Sequence, residues 1–295
     1  MISEFFTIEE TLPPFAICRE DGVAVLGDPD FGEALFEAAS QADSEEGQAD
    51  REDAACQILQ RGFRLGQNRY MLRVAISLDE IVPGDGTGEE DDDLSLFTSG
   101  PHKATVEELA RPLFDMIAAV LGYTVPTSVE RRSYSVQLLY EEFFETVRKE
   151  MRPMVKGEGF QVLAAYNTAC VDREGFLMAL GMAALAMIQT GAGRLHFSLD
   201  APRPDTVRYT LRGERSHRYN EFLRALLPEM GRACGFRVAF RRGAVEVMVR
   251  LEQESKLFLR SEHTIPASVC LRLAMALFGR PYAPAGKQPP DGADE

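Results

Sequence analysis

Between Asp79 and Asp93 the chain places eight acidic residues, three glycines and a proline, with no basic residue among them. Like charges at this density repel one another, and the stretch has too few apolar side chains to bury a core. The stretch therefore reads as a solvated linker, with folded units expected on either side of it. With 295 residues there is enough chain for two or three such units. The apolar fraction of 45% and charged fraction of 26% match a soluble globular protein rather than a fibrous or wholly disordered one. Acids outnumber bases by 46 to 32, a net charge of −14. A field of that sign repels nucleic acid and anionic membrane, so neither is expected as a partner.

The compartment follows from the cysteines and the first residues. Cys18, Cys56, Cys170, Cys234 and Cys270 are scattered, odd in number and form no C-x-x-C pair. They read as reduced thiols in a cytoplasm, and no Cys or His pair has the spacing of a zinc site. The opening MISEFFTIEETLPPF lacks the basic and unbroken apolar regions of a signal peptide. The most apolar stretch, Phe176–Ile188, is shorter than the roughly 20 residues that span a bilayer and reads as a buried helix.

Residues 1–82 form the first unit. Phe15–Arg19 and Val23–Leu26 read as strands around the turn Glu20-Asp21-Gly22, and Asp28-Pro29-Asp30 opens the helix DFGEALFEAAS. Ser40–Asp53 reads as a polar loop and Ala54–Gln60 as a short helix. GFRLGQNRYMLRVAISL then alternates as a hairpin around Gly66-Gln67-Asn68. The linker follows over 83–103.

Residues 104–165 read as a helical hairpin. In TVEELARPLFDMIAAVLGY, Thr105 is placed as N-cap, and Leu109, Leu113, Ile117 and Leu121 recur on one face. A second helix is expected from about Val129 to Met151. One hairpin has too little core to stand alone, so pairing with a second copy into a four-helix bundle is expected. Residues 166–281 alternate helix, two strands, helix, two strands and a last helix over 266–278, with Gly235 as a C-cap and a hairpin turning at Arg242-Gly243. SKLFLRSE adds a strand candidate, and residues 282–295 form a frayed tail.

This order resembles a sensor histidine kinase: a PAS-like α/β unit, an antiparallel histidine-phosphotransfer-like hairpin and an α/β sandwich of the GHKL ATPase type, an α+β multidomain fold. The family's phosphoacceptor helix carries S-H-E-L-R-T-P-L, and the stretch Val106-Glu107-Glu108-Leu109-Ala110-Arg111-Pro112-Leu113 matches it at Glu108, Leu109, Pro112 and Leu113. Pro112 within a helix costs about 3 kcal/mol in isolation, and the family's helix carries a proline at this place. The acceptor position holds Glu107, which has no imidazole nitrogen to take a phosphoryl group. The nearest histidine, His102, stands upstream in SGPHK.

The ATPase-like part departs from the family as well. The helix REGFLMALGMAALAMIQTG resembles the family's first ATPase helix, whose asparagines hold Mg²⁺ and phosphate, and those positions fall on Gly181 and Leu185. Neither offers the oxygen a hard cation requires. The adenine-gripping D-x-G-x-G and the glycine-rich lid are absent from YTLRGERSHRYNEF. The resemblance therefore implies a kinase scaffold with no phosphoacceptor histidine, no nucleotide and no cofactor, dimeric and bound to a response regulator or another kinase.

Residues 211–260 hold eleven bases against six acids, which suggests a docking face for an acidic partner or for the chain's own acidic linker. His196 reads as a packed strand residue, and the pair His217 and Asp200 has no nucleophile nearby. Three functions follow as expectations. The first is a non-catalytic signalling protein. The second is a divergent but active kinase or phosphotransferase. The third is a small-molecule sensor with an apolar pocket lined by Phe15, Ile17, Leu35, Phe36 and Leu72.

Overall fold

Strict alternation builds the first sheet. In the computed structural model, which describes residues 13–27, 56–77, 106–150, 155–160, 167–189, 195–213, 219–252 and 266–278, β1 (Phe15–Arg19), β2 (Ala24–Gly27), β3 (Cys56–Leu65) and β4 (Asn68–Ser77) form an antiparallel sheet in the order β2-β1-β4-β3. The short helix expected over 54–60 is corrected. The alternation of the hairpin extends back to Cys56, which pairs with Ser77, so β3 runs ten residues. Phe15, Ile17, Leu72 and Val74 share one face and are buried. The helix expected from Asp28, the acidic run, His102, Thr105, His217, SKLFLRSE and the tail lie outside the described residues.

The first helix forms as its periodicity predicts. α1 (Val106–Gly122) carries Glu107 and Glu108 in its first turn, where the helix dipole favours negative charge, and Pro112 within it. Ala110, Leu113, Met116, Ile117 and Val120 are buried, and α1 packs on β3, β4 and the last helix. The Arg61 guanidinium lies 4.8 Å from the Phe114 ring centroid and fastens α1 to β3.

The second helix of the expected hairpin is corrected. A short 3₁₀ turn (Pro126–Ser128) is followed by a strand, β5 (Arg132–Ser135), which pairs antiparallel with β7 (Thr168–Val171). Only then does α2 (Val136–Glu150) begin. The reason lies in packing: Tyr134 and its neighbours find a strand partner in β7 that outweighs local helix propensity. α2 packs chiefly on the last helix, then on α3 (Arg173–Gln189), β5 and β6 (Val155–Phe160), while α1 packs mainly on the first sheet. The two helices thus have their main contacts on different elements rather than on each other.

The boundary at 165 moves accordingly. β6 joins the second sheet, parallel to β8 (Leu195–Arg203), and β9 (Thr206–Gly213), β10 (Phe236–Arg241) and β11 (Ala244–Arg250) complete the order β10-β11-β9-β8-β6. α4 (Glu221–Cys234) lies between β9 and β10, and α5 (Ala267–Phe278) closes the described chain. Gly235 ends α4 in the left-handed region at φ 94°, donating its N–H to Gly231, as expected for a C-cap glycine.

The two sheets share one hydrophobic core. Asn220, the N-cap of α4, accepts hydrogen bonds from the backbone N–H groups of Phe222 and Leu223 while donating 2.6 Å to the Val25 carbonyl of β2. Phe222 sits edge-on to Tyr70 and Phe63. Arg19 on β1 reaches Glu221 at 3.3 Å. The face of the first sheet that carries Phe15, Ile17 and Leu72 is in this way filled by α1 and α4. Of the apolar residues expected to require a second copy, Leu113, Met116, Ile117, Val120, Phe143 and Val147 are buried within one chain. Val23, Val125 and Leu138 are the exposed large hydrophobic residues among those described, and they are scattered.

Candidate functional site

α3 is apolar all round its circumference, and a helix of that kind must be covered on every side. Every residue from Phe176 to Met187 is buried. One side meets the sheet through β8, β9 and β11. The other meets α5, with α4 and α2 alongside. Gly181 and Leu185, the positions where the resemblance places nucleotide-binding asparagines, lie in this layer. A Cβ built on Gly181 would stand 3.2 Å from Leu271 Cδ1 and 3.7 Å from the Ala274 Cβ, both on α5. Leu185 is 4% exposed. Both positions are buried. Among the described residues no group of three or more His, Cys, Asp or Glu is placed to hold a metal ion.

The N-terminus of α3 is held by polar groups that the sequence reading passed over. Asp172 is buried, and its two carboxylate oxygens accept from the Gly175 N–H at 2.8 Å and from the Glu130 N–H at 2.9 Å. Burial pushes its carboxyl above the ordinary range, against the pull of those two donors. Arg173, 5% exposed, pairs with Glu142 on α2 and with Glu174 at 3.4 Å. The signal was legible: D-R-E-G before an apolar run is an N-cap with its first helical turn.

A second set of contacts fastens α4 to β7 and the α1–β5 connection. Arg131 donates 2.7 Å bonds to the carbonyls of Ala233 and Arg232, satisfying the C-terminus of α4. The Cys234 thiol donates to the Tyr123 carbonyl at 3.3 Å. Desolvation raises Tyr123 and Cys234 well above their usual values and holds Cys270, on α5, at about 12. These groups stay protonated and serve packing.

The residues matched to the phosphoacceptor stretch separate by face. Glu107 and Glu108 are exposed, Leu109 and Pro112 half-buried and Leu113 fully buried. Glu107 therefore points to solvent one turn before Pro112, as helical spacing requires. His196 is half-buried on β8. Asp200 forms a 2.5 Å ion pair with Arg208, which reaches Glu246 at 3.4 Å, and Glu246 in turn pairs with Arg241 at 3.2 Å. This ladder crosses four strands of the second sheet. The pocket expected from Phe15, Ile17 and Leu72 is filled core, and Leu35 and Phe36 lie outside the described residues.

No family model matches the chain, and no curated protein matches it. Its neighbours among solved structures are histidine kinases. It is similar to the Acinetobacter baumannii histidine kinase AdeS at 9% identity, covering 48% of this chain and 79% of that one, with a TM-score of 0.37. The histidine kinase ThkA in complex with the response regulator protein TrrA gives 11% identity, 83% and 96% coverage and a TM-score of 0.34. The Erythrobacter litoralis EL346 blue-light activated histidine kinase gives 11% identity, 84% and 98% coverage and a TM-score of 0.30. No helix among the described residues is long and apolar enough to cross a membrane.

Proposed function

We propose that this chain is a histidine-kinase-like signalling protein that has given up nucleotide chemistry and acts by binding another protein of the same signalling class, a response regulator or a kinase. The observation that carries the reading is the burial of Gly181 against α5, with Leu185 buried on the same helix. Leu271 and Ala274 of the chain itself lie against Gly181, one of the two positions where the resemblance expects an asparagine. Glu107, in place of an acceptor histidine, supports the same reading. Its carboxylate can accept hydrogen bonds but cannot form a phosphohistidine, and it carries one negative charge against nearly two on a phosphorylated side chain. The exposed side of α1, with Glu107, Glu108 and Arg111, is the surface we assign to the partner.

A thermal-shift measurement with ATP and Mg²⁺ tests the proposal. A ligand at 100 times its Kd would stabilise the fold by about 2.7 kcal/mol, a shift of several degrees. No shift at millimolar nucleotide is expected. A dose-dependent shift, or radiolabel passing from γ-labelled ATP to the chain, would return it to the active kinases.

A further inference from the structure

The first sheet has a second face, turned away from α1 and α4. Register places Arg64 directly opposite Arg69 and Gly62 opposite Met71 on the β3–β4 hairpin, with Cys18 of β1 beside Met71. Gly62, Arg64, Arg69 and Met71, with Phe63, Tyr70 and Glu20, line a groove of about 320 Å³. Like charges set directly across two strands repel, so the Arg64–Arg69 pair is a local cost to the sheet. Arg69 is 3.6 Å from Glu20, both well exposed. Arg64 is exposed and has no hydrogen bond or ion pair among the described residues. Gly62 leaves the floor open, and Met71 lies across it: a Cβ there would meet the Met71 sulfur at 3.2 Å. The result is an open, apolar-floored groove with more positive than negative charge, on a chain whose net charge is −14.

We propose that this groove binds the chain's own acidic run, Asp79–Asp93. Charge complementarity is the first argument: the run brings eight carboxylates and no base to two directly opposed guanidiniums. Reach is the second. The run begins just past β4, whose end at Ser77 lies eight residues, about 26 Å, from Arg69. Twelve residues separate Ser77 from Glu89, up to about 40 Å of extended chain, and thirteen more lead from Asp93 back to the start of α1 at Val106. Both legs are long enough. Tethering is the third. An attached segment meets the groove at an effective concentration near millimolar, so an acidic segment from elsewhere must compete with it.

Two measurements on the full-length chain decide this. In one, Glu89, Glu90, Asp91, Asp92 and Asp93 are replaced by Gln and Asn, and a fluorescein-labelled peptide of residues 79–93 is titrated in. The neutralised chain should bind it at least tenfold more tightly than the intact chain. Affinity should fall steeply between 50 and 300 mM salt, and binding should vanish when Arg64→Ala and Arg69→Ala are added. Equal binding by both chains, or binding indifferent to the arginines, overturns the proposal. In the other, Arg64→Lys and Arg69→Lys supply amines for carbodiimide coupling, mapped by mass spectrometry. Cross-links from positions 64 and 69 into residues 79–93 of the same molecule are expected. Cross-links only to Glu20, to acids in residues 28–53 or to another copy overturn it. The arginines are on the surface, so neither variant threatens the fold.

Discussion

Gly181 on α3 and Leu271 on α5 stand so close that a single added carbon on the glycine would lie 3.2 Å from the leucine's terminal methyl. The absence of a side chain at 181 is what lets α5 lie flat on α3, and the leucine then fills the space.

That relationship predicts non-additive energetics. Leu271→Ala should cost about 2–4 kcal/mol through lost burial and a cavity. Gly181→Ala in the Leu271→Ala background should recover part of that loss, because the new methyl enters the space Leu271 left and alanine favours the helix by up to about 1 kcal/mol. Urea unfolding of the two single variants and the double variant measures the coupling. A strictly additive pair would show that the two residues do not share a space.

Cysteine labelling should report on α5. Cys170 is exposed, whereas Cys18, Cys234 and Cys270 are buried. With its thiol held near 12, Cys270 carries almost no thiolate at neutral pH. Cys170 should react with iodoacetamide ahead of the three buried thiols. Labelling of Cys270 should begin only where mild denaturant releases α5, before global unfolding. Rapid labelling of Cys270 in native buffer would contradict the packing of α5.

Asn220 should be worth more than a helix cap. Asn220→Ala removes the acceptor for Phe222 and Leu223 and leaves the Val25 carbonyl without its donor, so about 2–3 kcal/mol is expected from the two effects together. Asn220→Asp keeps the cap but loses the donor and should fall between. Chemical denaturation of both variants separates the cap from the clasp on β2.

Asp172 sets a pH dependence of unusual sign. Burial raises its folded pKa above the ordinary 3.8, so the folded chain keeps this proton to higher pH than the unfolded chain does. Its contribution is most favourable below the unfolded value and declines as pH rises through the folded one. Asp172→Asn cannot titrate, and it replaces one acceptor with a donor facing the Glu130 N–H, which should cost about 1–3 kcal/mol. The stability difference between native chain and variant should therefore shrink as pH is raised from 4 toward neutrality. A gap that widens instead would mean that Asp172 is stabilised as the carboxylate.

Glu107 gives a test of partner binding. Glu107→Gln removes a solvent-facing charge from the first turn of α1, with a stability loss of no more than about 1 kcal/mol from the helix dipole. Any receiver domain captured by this chain presents an acidic phosphorylation pocket, so its affinity, read by calorimetry, should rise in the variant while phosphoryl transfer stays absent. Unchanged affinity would leave Glu107 as an ordinary helix acid.

Much of the fold was legible in local patterns. Period-two alternation marked the first sheet, and the all-round apolar composition of Phe176–Ile188 marked a helix with no solvent face. Gly235 announced its cap, because caps answer to backbone groups only a few residues away. Glu107 and Leu113 took opposite sides of α1 because a helix turns through about 100° per residue whatever surrounds it. The errors came where a distant partner outvoted the local signal. Residues 132–135 continue a helical pattern, yet β7 stands beside them, and Cys56–Gln60 looked helical until Ser77 and its neighbours supplied a ladder. What covers Gly181 and Leu185 was beyond any local reading. The sequence by itself determined that α3 must be buried on every side and that no asparagine waits there. Only the tertiary structure decided that α5, more than eighty residues further along the chain, is the element that covers Gly181, since burial is a contest among all the apolar faces of the chain and is settled by which of them fit.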